Sequence, residues 1–175
     1  MGIVRGVRGF VPDLGKGCFI AENAVIIGDV IAGDNCSFWY GSVTRGDVNS
    51  IRIGNNVNIQ DGAVIHCNYK DSVTIIGDNV SIGHNATVHG ADIGNNVLIG
   101  MGAIIMDHAV IGENCLIAAG CVITKHMKVE PGSVFAGIPA KKMKSFDPVQ
   151  LGRMTLRSAD QYKMYMEWYR DQGGE

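Results

Sequence analysis

His66, His84 and His89 are the residues of this chain whose types and spacing could do chemistry. A neutral imidazole is a common ligand for zinc and other divalent transition metals. Three imidazoles leave one position of a tetrahedral ion open, which is the ligand count of a catalytic rather than a structural site. His84 and His89 stand five residues apart, and His66 stands 23 residues before His89. What those spacings mean depends on the elements that carry the rings.

Those elements repeat. From Ile76 an aliphatic residue returns every sixth position, through Ile82 and Val88 and then, after a one-residue slip, through Ile93, Ile99, Ile105, Ile111, Ile117 and Ile123. Ile53, Ile59 and Ile65 keep the same step, and Ile20 and Ile26 begin it. Period six belongs to neither a helix nor an alternating strand, so the chain reads as a repeat architecture. The residue after each aliphatic is usually Gly or Ala, and two further on stands a recurring Asn: Asn23, Asn56, Asn79, Asn85, Asn96 and Asn114. Asn tolerates positive φ, so these positions are predicted corners. Alternating large and small residues then fill a narrow prism. The chain resembles the hexapeptide-repeat superfamily. That resemblance implies a mainly β fold, a left-handed parallel β-helix shaped as a triangular prism with 18 residues per coil, followed by a C-terminal α-helix. The left hand comes from the resemblance alone, since parallel crossovers are normally right-handed.

The repeat gives the histidines a geometry. Ile65 and Val88 point inward, so strand alternation turns His66 and His89 outward. Their separation of 23 is one coil plus five, and the non-repeating stretch from Cys67 to Ser72 absorbs the five as a loop. The two rings should then stack on one wall at a backbone spacing of about 4.8 Å, within reach of one metal ion. His84 falls on a corner and points elsewhere, so the third ligand has to come from a neighbouring prism in a three-fold homotrimer. His108 and His126 are also one coil apart and should stack, as solvated corner residues without a third partner.

Thr44-Arg45-Gly46-Asp47, Asn58-Ile59-Gln60-Asp61, His66 and the run from Gly83 to Gly90 together resemble the γ-class carbonic anhydrase family, over roughly Gly9 to Lys141. The resemblance implies that His66 and His89 of one subunit and His84 of the next are metal ligands. Zinc is the expected metal, although iron, cobalt and nickel accept the same donors. It implies an Arg45–Asp47 pair at the subunit interface, Gln60 holding the reacting water, Asn58 lining the same pocket, and Tyr162 brought near it from the C-terminus. The implied reaction is hydration of carbon dioxide to bicarbonate by hydroxide formed at the metal. Val48 stands where some members carry an acidic proton shuttle, and the loop after His66 offers only Lys70 and Asp71. Proton export is therefore predicted to be slow.

Two other function classes stay open. The closing Ala136-Gly137-Ile138-Pro139-Ala140-Lys141 resembles the terminus of acyl-CoA acyltransferases of the superfamily, which leaves a transferase or thioesterase reading. The third class is a non-catalytic, metal-stabilised trimeric scaffold.

A net charge of −2 argues against nucleic acid and anionic membrane as partners. No apolar run is long enough to span a bilayer, and the first residues lack the apolar core of a signal peptide. Five cysteines, an odd number without framework spacing, predict free thiols in the cytoplasm. Cys115 and Cys121 fall on small interior positions and read as core filler, and Cys67 as an unreactive loop thiol. The prism is expected over residues 1–145, with a helical segment over 146–175 packing against it. Within that segment Ser158 and Gln161 form a capping-box start, and Tyr162, Tyr165, Met166 and Tyr169 form one apolar face.

Overall fold

In the computed structural model, which describes residues 2–143 and 146–170, the six-residue period resolves into three columns of inward side chains. The first stacks Ile20, Phe38, Ile59, Ile82, Ile99, Ile117 and Phe135 in register. The second stacks Ile26, Thr44, Ile65, Val88, Ile105 and Ile123. The third stacks Ala32, Ile53, Ile76, Ile93, Ile111 and Val129. Each column is one wall of a parallel β-solenoid of about seven turns. Apart from the partly buried Ile20, the isoleucines of the columns are almost wholly shielded from water, and each full burial contributes roughly 1.5–3 kcal/mol. Ala24, Ala63, Ala86, Ala103, Cys115 and Cys121 fill the space between columns with no exposure. The two cysteines are thus the core filler expected.

The corners follow the asparagines. Asn56, Asn79, Asn85, Asn96 and Asn114 lie at φ between 55° and 59°. Four of them form a side-chain ladder, Asn56 to Asn79 at 2.8 Å, then Asn96 and Asn114 at 3.1 Å each. Asn23 departs from the expectation, because it is not among the residues at positive φ. Its Oδ1 instead accepts the Gly41 N–H at 2.9 Å, one coil on, and Gly41 itself takes φ 68°. His108 and His126 occupy corners at φ 58° and 63° and stack with ring centroids 5.0 Å apart. His108 is not free of partners, since its Nε2 lies 3.3 Å from Asp71.

Two irregularities shape the region of the histidines. Strands Val25–Ala32 and Val43–Ile53 run round a corner and join two walls into a 12-stranded sheet, leaving the third wall as an 8-stranded sheet. Along that pair the offset grows from 18 at Gly28–Gly46 to 21 at Val30–Ile51, so the second strand bulges beyond Gly46. A side chain at Gly46 would meet the Asp29 carbonyl at 2.5 Å, which is why the bend between Arg45 and Asp47 takes glycine. The second irregularity is the loop between strands Val64–His66 and Thr74–Ile76, which lengthens that coil to 23 residues as expected.

The C-terminal helix runs from Pro148 to Arg170. The expected capping-box start at Ser158 is wrong, because Ser158 lies in the middle of this helix. The cap is Asp147, whose Oδ1 accepts the Val149 N–H at 2.9 Å, followed by proline at the first helical position. Leu151, Ala159 and Met166 are buried. Tyr162 and Tyr169 meet Trp39 edge-on at 5.3 and 5.4 Å, so the aromatic face packs on the 8-stranded wall. The expected division at 145/146 falls on residues 144–145, which lie outside the described residues, as do 171–175. Among the described residues no helix is long and apolar enough to cross a membrane.

Candidate metal centre

The register pairs His66 with His89 on neighbouring strands of the 12-stranded sheet. His66 Nδ1 lies 3.1 Å from His89 Nε2, so the two rings converge on one point of the outer wall. The nitrogen of each ring that faces away meets a carboxylate. His66 Nε2 lies 3.1 Å from Asp47 Oδ1, and His89 Nδ1 lies 2.9 Å from Asp107 Oδ1. Asp47 in turn holds Arg45 at 2.5 Å, within the same chain. The sequence therefore places Arg45 and Asp47 beside the histidine pair, through the bend at Gly46.

His84 stands apart, on the corner after strand Ser81–Ile82 of the 8-stranded wall. Its Nδ1 lies 2.8 Å from Asp61 Oδ2 and its Nε2 lies 3.3 Å from the Tyr162 hydroxyl. Its backbone N–H donates to Gln60 Oε1 at 3.2 Å. Gln60 Nε2 donates to Asn58 Oδ1 at 2.9 Å, and Asn58 Nδ2 donates to Ser81 Oγ at 2.8 Å. Gln60, Asn58 and Tyr162 thus gather around His84 rather than around His66 and His89. Within one chain the eight expected site residues form two clusters on two walls.

Electrostatics suits a neutral His66 ring beside charged carboxylates. Burial pushes the His66 imidazole below its ordinary value and Arg45 adds to this, against the pull of Asp47. Burial would raise Asp47, yet its hydrogen bonds with Arg45 and His66 prevail and hold it below the usual carboxylate range. Asp107 is likewise raised by burial but brought lower by Ser72 and His89. Burial, with Asp61 nearby, pushes the Tyr162 phenol up to about 12, so it stays protonated at neutral pH. Cys67 is buried and its thiol is pushed up to about 11 by that burial, which agrees with an unreactive role. All five cysteines are free.

Sequence reasoning missed Asp61 and Asp107 as partners of His84 and His89. The signal was available in the coil length. Asp107 follows His89 by 18 residues, a regular coil, and Asp61 precedes His84 by 23, the length of the lengthened coil. A carboxylate one coil from a histidine stands beside it.

The comparisons with known proteins agree with this architecture. Residues 90–125 match the family described as bacterial transferase hexapeptide (six repeats), and residues 73–106 match the hexapeptide repeat of succinyl-transferase. The chain is 37% identical over 179 residues to Protein YrdA of Escherichia coli (strain K12), covering 99% of this chain and 97% of that one. It is 54% identical over 128 residues to a probable carbonic anhydrase of Methanocaldococcus jannaschii, covering 73% of this chain and 80% of the relative. The crystal structure of a hexapeptide transferase family protein from Anaplasma phagocytophilum superposes with a TM-score of 0.90 at 40% identity, covering 95% of this chain and 98% of the other. The hexapeptide solenoid together with relatives of this identity and coverage defines the class. The chain belongs to the γ-class carbonic anhydrase-like family of hexapeptide-repeat proteins.

Proposed function

We propose that this protein is a homotrimeric, metal-dependent enzyme that hydrates carbon dioxide to bicarbonate. In this reading His66 and His89 of one subunit and His84 of the next hold the metal, zinc in the first instance. The observation that carries it is the division of the histidines, two converging at 3.1 Å on one wall and the third on another. Among the described residues no three His, Cys, Asp or Glu side chains of one chain are grouped to hold a metal ion. A second copy is therefore needed to complete the ligand set. An apolar strip supports such a contact: Val64 and Ile104 lie in register on either side of Thr87, and with Met106 they are exposed beside the paired rings.

The donors fit a divalent ion of intermediate softness, because each ring is backed by a carboxylate that orients it, as in carboxylate–histidine metal sites. When bound, such an ion supplies Lewis-acid activation of water. The remaining work falls to the chain itself. Gln60 accepts the His84 N–H and donates one amide hydrogen to Asn58, so its orientation is fixed and its second N–H is left for an oxygen of water or bicarbonate. Asn58 is in turn held by Ser81. Arg45 keeps Asp47 charged beside His66. The Tyr162 hydroxyl stands 3.3 Å from His84 Nε2, the nitrogen that Asp61 leaves for a ligand, and so borders the third ligand position.

The test joins three measurements on the purified protein: mass by light scattering, metal per subunit by elemental analysis, and carbon dioxide hydration by stopped flow. A trimer with about one ion per subunit and a measurable rate supports the reading. An acyl-CoA reading keeps a place because a similar solved structure is described as a hexapeptide transferase family protein and one matched family as a succinyl-transferase repeat. Equilibrium dialysis with acetyl-CoA separates it. Full metal with neither hydration nor CoA binding selects the scaffold.

A further inference from the structure

Asp107 lies outside every motif that pointed to the site, yet one of its oxygens gathers three donors. Oδ1 is 2.9 Å from His89 Nδ1, 2.7 Å from Ser72 Oγ and 2.9 Å from Asn68 Nδ2. Ser72 and Asn68 are the two ends of the loop that lengthens the coil after His66, and Ser72 Oγ also accepts the Asn68 N–H at 3.1 Å. The packing is tight. Gly90, which follows His89, takes φ 57°, and a side chain there would run into Ser72 Oγ and Asp107 Oδ1. The Asp107 side chain is 15% exposed, so little water competes for these bonds.

We propose that Asp107 is a positioning residue with two roles. It holds His89 as the Nδ1-protonated tautomer, which leaves the Nε2 lone pair facing His66 and open to a ligand. It also latches the loop 67–73 to that ring, so that the order of the loop and the aim of His89 depend on each other. Carboxylate acceptance at one imidazole nitrogen fixes the tautomer and raises the basicity of the other, and loss of such a partner costs about 10- to 100-fold in metal affinity. The metal-affinity consequence rests on the function proposed above; the tautomer does not.

Three readouts test this on the whole chain. In the metal-free state, nitrogen-15 spectra of the imidazoles should show His89 protonated at Nδ1 in the wild type and shifted towards Nε2 protonation in Asp107→Ala. Amide exchange in 67–73 should rise in the same variant. Zinc titration against a competing chelator should show an affinity loss of about 10- to 100-fold for Asp107→Ala. Ser72→Ala, which frees one loop donor and leaves the ring's partner in place, should speed exchange in the loop and keep the tautomer. Should Asp107→Ala not fold, Asp107→Ser, whose shorter side chain cannot take all three bonds, supplies the reading through the tautomer and loop exchange. An unchanged His89 tautomer and unchanged loop exchange in whichever of the two variants folds overturn the inference. A wild type that takes up no zinc while its tautomer depends on Asp107 overturns the metal reading alone.

Discussion

The Nδ1 of His66 and the Nε2 of His89 approach to 3.1 Å, and the opposite nitrogens of the same two rings reach Asp47 and Asp107. Three contacts of this kind need three N–H groups, and two neutral imidazoles provide two. Burial keeps His66 towards neutrality, and with both rings neutral one contact in the row would lack a proton. A divalent cation held by the two rings, as in the function proposed above, would remove the conflict, since each ring would give its N–H to a carboxylate and keep its lone pair for the ion.

Removal of the ligand on the other wall is the most direct check on that arrangement. In His84→Ala, metal content should fall at least about tenfold, while circular dichroism stays that of the wild type. The fold is spared because the His84 side chain is 40% exposed and belongs to none of the inward columns. Elemental analysis that finds full occupancy in this variant would remove His84 from the ligand set.

Proton release is expected to limit turnover. Val48 packs against the core and lines a cleft of about 230 Å³ with Arg8, Asp47, Tyr69 and Lys70, where no free carboxylate is at hand: Asp47 is taken by Arg45 and His66, and Asp29 by Arg52. Increasing imidazole buffer should therefore raise the hydration rate several-fold, because the buffer carries the proton. Val48→Glu should give a similar gain at low buffer, helped by the two cations of the cleft. A high rate indifferent to buffer points to a side-chain shuttle instead.

Thiol chemistry should single out one residue. The hydrogen bond from Cys36 is the main cause that lowers the half-buried Cys18 to about 7, whereas burial keeps Cys67 near 11. With limiting iodoacetamide at neutral pH, peptide mass spectrometry should find label on Cys18 first, and Cys67 spared while the protein is folded. Equal labelling of both under native conditions contradicts the burial of Cys67.

The helix should detach in alkali. Tyr162 has its folded value raised from 10 to about 12, so the neutral phenol is the form the fold prefers. That contribution is fully present below about pH 10 and is lost as pH rises towards 12. Absorbance of tyrosinate should include one late group near 12, followed by a change in Trp39 fluorescence as its edge contact with Tyr162 opens. Tyr162→Phe should abolish the late step.

Much of this molecule was legible in its residues. Large aliphatics every sixth position and small residues between them determine a solenoid, because each coil meets only its neighbours and a local repeat suffices to write the whole stack. The same logic put His66 beside His89 across a loop, and His84 on a corner away from them. What only the tertiary structure decided depends on sums of irregular coils, whose offsets of 17, 21 and 23 residues set which side chains meet across neighbouring coils. On those sums rest the meeting of Asp47 with His66 and the grouping of Gln60 and Asn58 with His84, whereas the pairings of His84 with Asp61 and of His89 with Asp107 follow from the coil lengths themselves. The helix shows the other limit. Ser158 and Gln161 carry a local start signal, but eleven residues upstream of Ser158 Asp147 caps the chain, and burial of Leu151 and Thr155 against the wall extends the helix through that signal. Packing contributes more there than a cap worth about 1 kcal/mol.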